Sequence, residues 1–157
     1  MNRAILSGQV NKEMIDGLKN NTQAFLSFLQ TQNDGTIVYI LEKLGRLENG
    51  YSREPLLSLL NNTNENIRAL SIKNLAKISD ISLLPIFVKH ASSDVSTEVR
   101  RESVSAIGRL RNEKAIPALI KFLTDSDPKV VMQAIRGLLT FNNSLYVKEK
   151  LKKLLDH

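Results

Sequence analysis

Apolar residues recur at intervals of three and four along almost the whole chain, the spacing that puts them on one face of an α-helix. Aromatic residues make up only 5%, Trp is absent and four Pro interrupt the chain, so the pattern reads as all-helical. A longer period lies over the helical one. Three stretches align: Pro55-Leu-Leu-Ser-Leu-Leu leading to Asn62, Pro85-Ile-Phe-Val-Lys-His-Ala leading to Asp94, and Pro117-Ala-Leu-Ile-Lys-Phe-Leu leading to Asp125. Each opens a short first helix. Asn62, Asp94 and Asp125 are 32 and 31 residues apart, and five residues after each comes a β-branched apolar residue, Ile67, Val99 or Val130, where a second helix begins.

The second helix of the middle copy buries Val99, Ser103, Val104, Ile107 and Leu110 on one face. Its neighbours place Ile67, Ser71, Ile72, Leu75 and Ile78, and Val130, Ala134, Ile135 and Leu138, at matching positions. The small residues Ser71, Ser103 and Ala134 let the paired helices approach, as packing of ridges into grooves requires. A fainter copy precedes these, with a first helix at Ala24-Phe-Leu-Ser-Phe-Leu and a second over Ile37 to Leu47, in which Leu44-Gly45-Arg46-Leu47 echoes Ile107-Gly108-Arg109-Leu110. After Ser144, Val147, Leu151, Leu154 and Leu155 share a face and predict a further helix. A weak helix, Asn11 to Lys19, follows a polar lead.

A pair of helices this short cannot bury enough surface to fold alone, so the units must stack and share a core. The motif Pro-x-Leu-x-x-x-Leu, an acidic loop, then Val-Arg-x-x-Ala/Ser and Ala-Ile/Leu-Gly resembles the HEAT repeat, above all its short phycobilisome-lyase-type form. Asp94, Val99, Arg100, Ser103, Ala106, Ile107, Gly108 and Leu110 match it best. The resemblance runs over about residues 22 to 144 and implies an α/α superhelical solenoid of about four pairs plus terminal helices. On this reading one repeat domain spans 1–157: a capping segment 1–21, a divergent repeat 22–53, repeats at 54–83, 84–114 and 115–144, and a C-terminal helix in 145–157. The pattern is broken where Asn62 and Asn64 stand for Asp and where Val131 stands for Arg. The resemblance also implies that Arg68 and Arg100 are structural, reaching the acidic loop of a neighbouring repeat.

Composition narrows the chemistry. A chain of 157 residues fits one domain, and 42% hydrophobic with 24% charged residues is a globular balance. There is no Cys, which removes disulfides and thiolate chemistry and suits a reducing, cytoplasmic setting; no run is apolar and long enough to span a membrane. His90 and His157 are the only histidines, with no carboxylate or second histidine at a ligand spacing, so His90 reads as structural and no metal site is indicated. Asp125-Ser-Asp127-Pro lacks the Gly and distant Glu of a calcium loop and reads as a helix cap ahead of Pro128. The remaining acids, among them Glu65, Glu98 and Glu113, read as loop charges, and no glycine-rich phosphate loop or serine elbow occurs. No cofactor and no catalytic constellation are expected; the protein reads as a non-enzyme.

With 22 Lys and Arg against 16 Asp and Glu, the formal charge is +6. Beside the buried stripe of the second helices stand Arg46, Lys73, Lys77, Arg101, Arg109 and Arg136, with few acids among them, chiefly Glu42 and Glu102. By the resemblance, second helices line a concave face, so these six would converge in a basic trough. One reading is a scaffold whose trough binds an acidic protein surface or segment. The alternative is a module gripping the backbone of a nucleic-acid duplex, accessory to a DNA-modifying or repair enzyme. Single strands would need stacking aromatics, but Phe25, Phe28, Phe87 and Phe122 fall on first-helix apolar faces. The plainest reading is that long basic side chains solubilise the face and cover apolar surface with their stems. Pattern alone leaves the partner and the oligomeric state open.

Overall fold

Two kinds of signal start every helix. Asn11, Asn21, Asn33, Asn64, Ser96, Asp127 and Ser144 each accept a hydrogen bond from a backbone amide in the first turn of the helix that follows. Such caps satisfy amides that have no partner inside the helix. The three helices without a side-chain cap carry Pro55, Pro85 or Pro117 as their second residue, in the first turn, where a missing N–H costs nothing. The computed structural model describes residues 11–47 and 51–156, and among these it holds ten α-helices and no strand. His157 and the polar lead before Asn11 lie outside the described residues.

The chain divides into two compact units, Met1–Ile78 and Ser79–His157. In the first, α1 (Lys12–Lys19), α2 (Thr22–Thr31), α3 (Asp34–Lys43), α4 (Glu54–Ser58) and α5 (Glu65–Ala76) pack as α1 on α2 and α3, α2 on α4, α4 on α5 and α3 on α5. Phe25, Ile40, Leu41, Leu56, Ile67, Ile72 and Leu75 are fully buried among them. In the second unit, α6 (Leu84–Ser93), α7 (Thr97–Arg109), α8 (Ile116–Lys121), α9 (Pro128–Leu139) and α10 (Leu145–Leu155) pack as α6 on α7, α7 on α8 and α9, α8 on α9 and α10 on α9. Here Phe87, Val99, Val104, Ile107, Leu119, Val130, Ala134 and Leu138 form the core. Second helices thus stack on second helices within each unit, α3 on α5 and α7 on α9.

The 31 to 32 residue period has a local cause. Asn62, Asp94 and Asp125 each accept from the amide two residues on, that of Asn64, Ser96 or Asp127, and each of those residues then caps the next helix. An amide oxygen serves this turn as well as a carboxylate does, so Asn62 and Asn64 keep the repeat despite departing from Asp. Ser79 and Arg111, one period apart, both adopt positive φ, at 56° and 49°, just past the ends of α5 and α7.

Two expectations change. The helix expected over Ile37 to Leu47 stops at Lys43, because Gly45 takes φ of 66° and ends it in the left-handed region. Leu44-Gly45-Arg46-Leu47 therefore does not repeat Ile107-Gly108-Arg109-Leu110, whose glycine is buried inside α7. Leu110, Ile78 and Ile135 are half-buried rather than core, the first two because they lie past their helix ends. A second close approach, between second helices, was not expected. Ser71, Ser103 and Ala134 are indeed fully buried, and the serine hydroxyls donate to Ile67 O and Val99 O within their own helices. Backbones also approach closely at Gly108 of α7 and Gly137 of α9: a Cβ on Gly108 would stand 3.0 Å from Gly137 Cα, and one on Gly137 would stand 3.1 Å from Gly108 Cα and 3.0 Å from Leu119 Cδ2.

A paired substitution tests this contact. Gly17 in α1 has open space around it, so Gly17→Ala should raise stability by about 1 kcal/mol, the helix-propensity difference. Gly137→Ala gains the same propensity but meets an overlap costing about 1 to 3 kcal/mol, so it should be net destabilising. Denaturant midpoints that move the same way for both variants would show that α7 and α9 are not packed backbone to backbone.

Candidate functional site

The cations expected to form a trough have different local fates. In the first unit, Lys77 caps α5 and its Nζ donates to Gly45 O at 3.0 Å and Asn74 Oδ1 at 2.9 Å. It is half-buried and spent on closing the loop after α3. Lys19 completes the closure, its Nζ donating to Leu44 O and Arg46 O, both at 2.9 Å, while Asn74 Nδ2 donates to Leu41 O. These side chains satisfy carbonyls that the early end of α3 leaves without helical partners. Arg46, expected on a helix, stands exposed in the coil beyond Gly45. Lys73 is exposed on α5.

In the second unit Arg100 behaves as the resemblance implies: its guanidinium donates to Asp94 O at 3.1 Å and its Nε lies 3.6 Å from Asp125 Oδ2 in the next repeat's loop. Arg68 donates to Asn62 O and Thr63 O in the loop ahead of its own helix. His90 has a carboxylate one turn on after all, with Nδ1 3.6 Å from Asp94 Oδ2, a side chain that also receives the Ser96 amide. Among the described residues no three His, Asp or Glu side chains come together as metal ligands, and no helix is long and apolar enough to cross a membrane.

Arg101 is the largest departure from the expected trough. Glu98, placed in the first turn of α7 rather than in a loop, takes its Nε at 3.0 Å and its Nη2 as well, and Glu102 takes Nη2 at 2.9 Å. The hydrogen bonds the guanidinium donates to Glu98, with the nearby charges of Glu102 and Glu98, hold its pKa above the ordinary value against the opposing pull of burial. Its charge is therefore answered within its own helix. A carboxylate at position 98 and an arginine at 101 meet because residues three apart on a helix are neighbours.

Beside this triad an open groove of about 350 Å³ runs between α7 and α9, lined by Arg101 and by Pro128, Lys129, Met132, Gln133 and Arg136. The last five follow helical spacing along one face of α9, opposite the buried Val130, Ala134 and Leu138. Met132 is 49% exposed, and Lys129 and Arg136 are exposed beside it with no ion pair among the described residues. The groove brings Arg101 and Arg136 together. Arg109, exposed at the end of α7, does not line it. Met132 and Lys129 were not among the residues singled out by pattern; Met132 could have been found as an apolar residue off the buried stripe.

Stacked helix pairs with capped, periodic loops define a helical-repeat protein. The model of HEAT repeats matches residues 22–102 and 84–157, and the chain belongs to that family. Among solved structures it is similar to the complex of CpcE and CpcF of phycocyanin lyase from Nostoc sp. PCC7120, with a TM-score of 0.68 and 22% identity over 86% of this chain and 88% of that one. It is also similar to a designed armadillo repeat protein in complex with the peptide (KR)4, with a TM-score of 0.56 and 23% identity over 96% of this chain and 77% of that one. At these identities the likeness is one of fold. No curated protein matches the sequence.

The contrast between spent and available arginines is measurable. Arg100→Ala removes a donor to Asp94 O and the partner of Asp125, both in half-buried surroundings, and should cost about 1 to 2 kcal/mol. Arg136→Ala touches no such contact and should stay within about 0.5 kcal/mol of the parent. Equal destabilisation of the two in urea unfolding would overturn this division.

Proposed function

We propose that the chain is a non-catalytic helical-repeat scaffold that holds a protein partner along its second helices, with the α7–α9 groove as the main contact. The observation that carries this reading is the exposed apolar side chain of Met132 set between the unpaired cations Lys129 and Arg136. Apolar surface flanked by charge suits a polypeptide, which offers side chains of both kinds, and repeat proteins generally use such extended faces for binding. Both similar structures are complexes, CpcE with CpcF and the armadillo protein with a basic peptide. The sign here is opposite. Lys129 and Arg136 call for an acidic surface or segment, and Arg109 adds charge outside the groove, whereas Lys77 and Arg101 are engaged locally and contribute little.

A photo-crosslinking side chain placed at Met132, and separately at exposed Lys89 on α6, tests the reading in an extract of the source cells. Adducts should form from position 132 and not from 89, be digested by protease and not by nuclease, and fall sharply when Arg136→Glu is added. Nuclease-sensitive adducts would favour duplex binding instead. Equal adduct yields from the two positions would place the contact elsewhere.

A further inference from the structure

The groove is not uniformly basic, and the reason is specific. Of the three cations that line it, Arg101 is held by two carboxylates of its own helix, Glu98 through Nε and Nη2 and Glu102 through Nη2. The α9 wall therefore presents Lys129 and Arg136 with unanswered charge, while the α7 wall presents a guanidinium already paired with Glu98 and Glu102. Met132 lies on the α9 wall between those two cations. A ligand lying along this groove meets positive charge on one side, apolar surface beside it, and on the other side a guanidinium already bound to the Glu98 and Glu102 carboxylates.

Resting on the reading of the groove as a protein-binding face, we propose that Glu98 and Glu102 are its specificity-determining residues: by sequestering Arg101 they admit an acidic polypeptide segment with an apolar anchor and reject a continuous polyanion. The anchor seats against Met132 and Pro128, and carboxylates flanking it meet Lys129 and Arg136. A nucleic-acid backbone carries charge at every step and no apolar anchor, so it would set phosphates against the Glu98 and Glu102 carboxylates. Close like-charge contacts are the means by which interfaces exclude wrong partners. Neither glutamate needs to touch the preferred segment; both act through Arg101, as positioning residues.

Three probes and two variants test this. The probes are a peptide of Asp and Glu with one central Leu, the same peptide with that Leu changed to Ser, and a short random-sequence DNA duplex. The variants are Glu98→Gln/Glu102→Gln and the milder Glu98→Gln, whose side chain is half exposed. The parent protein should bind the Leu peptide about tenfold more tightly than the Ser peptide and bind the duplex only weakly, measurably only at salt below about 50 mM. The double variant, with Arg101 released, should gain duplex binding by at least about tenfold, with a salt slope steeper by about one, the mark of one additional phosphate contact. Glu98→Gln should move the same way by less. A melting temperature matching the parent's shows that the gain does not come from unfolding, and a merely structural role for the glutamates would leave the salt slope unchanged. If the parent prefers the Leu peptide but the variants leave duplex binding and its salt slope as they were, the selectivity proposal falls and the protein-binding reading stands. If neither peptide binds the parent or either variant and position 132 yields no protein adducts, the groove is not the binding face and both fall.

Discussion

The second unit depends on one close contact, between the backbones of α7 and α9 at Gly108 and Gly137. No side chain fits between them, so the helices meet at the distance set by their main chains, with Leu119 filling the space beside Gly137. This fixes what lies on either side. Inward, Val99, Val104, Ile107, Val130 and Leu138 close into a core with no exposed surface. Outward, Arg101 and the Pro128 to Arg136 face of α9 are left as the two walls of one groove. Packed interiors transmit small displacements because they hold few voids, so a methyl group at the glycine contact would be felt along both walls.

Several cations in this protein finish the backbone. Lys19 and Lys77 close the carbonyls after α3, and Arg68 and Arg100 brace the loops ahead of their helices. Arg101 is answered by Glu98 and Glu102. The net charge of +6 therefore says little about where a ligand would meet positive charge. What remains unanswered in the groove is confined to the α9 wall, at Lys129 and Arg136. A short stretch of positive charge beside an exposed methionine is a different surface from a basic trough.

The architecture was legible because it is written in local chemistry that repeats. Pro55, Pro85 and Pro117 mark first helices, and Asn62, Asp94 and Asp125 mark turns that feed a cap two residues later. Both signals act within a few residues and survive the exchange of Asn for Asp. The buried faces of the second helices were legible for the same reason, at Ile67, Val99 and Val130 and the positions that follow them. The site was less legible, since a basic residue at an outward helical position looks the same whether its charge is free or paired. Glu98 lies three residues from Arg101, within reach on a helix, but assigning it to a loop hid the pair. The end of α3 was missed because Gly45 can either continue a helix, as Gly108 does, or turn it off with positive φ, and only the surrounding carbonyl partners decide which.

The most direct test of the account is a nuclear Overhauser measurement on protein labelled at glycine. If α7 and α9 meet through bare backbone, the α protons of Gly108 and Gly137 should give a strong cross-peak, stronger than any between either glycine and a methyl group inserted between the helices. Absence of that cross-peak, with each glycine instead showing its strongest contacts to side chains of the opposite helix, would contradict the packing from which both the core and the groove are derived.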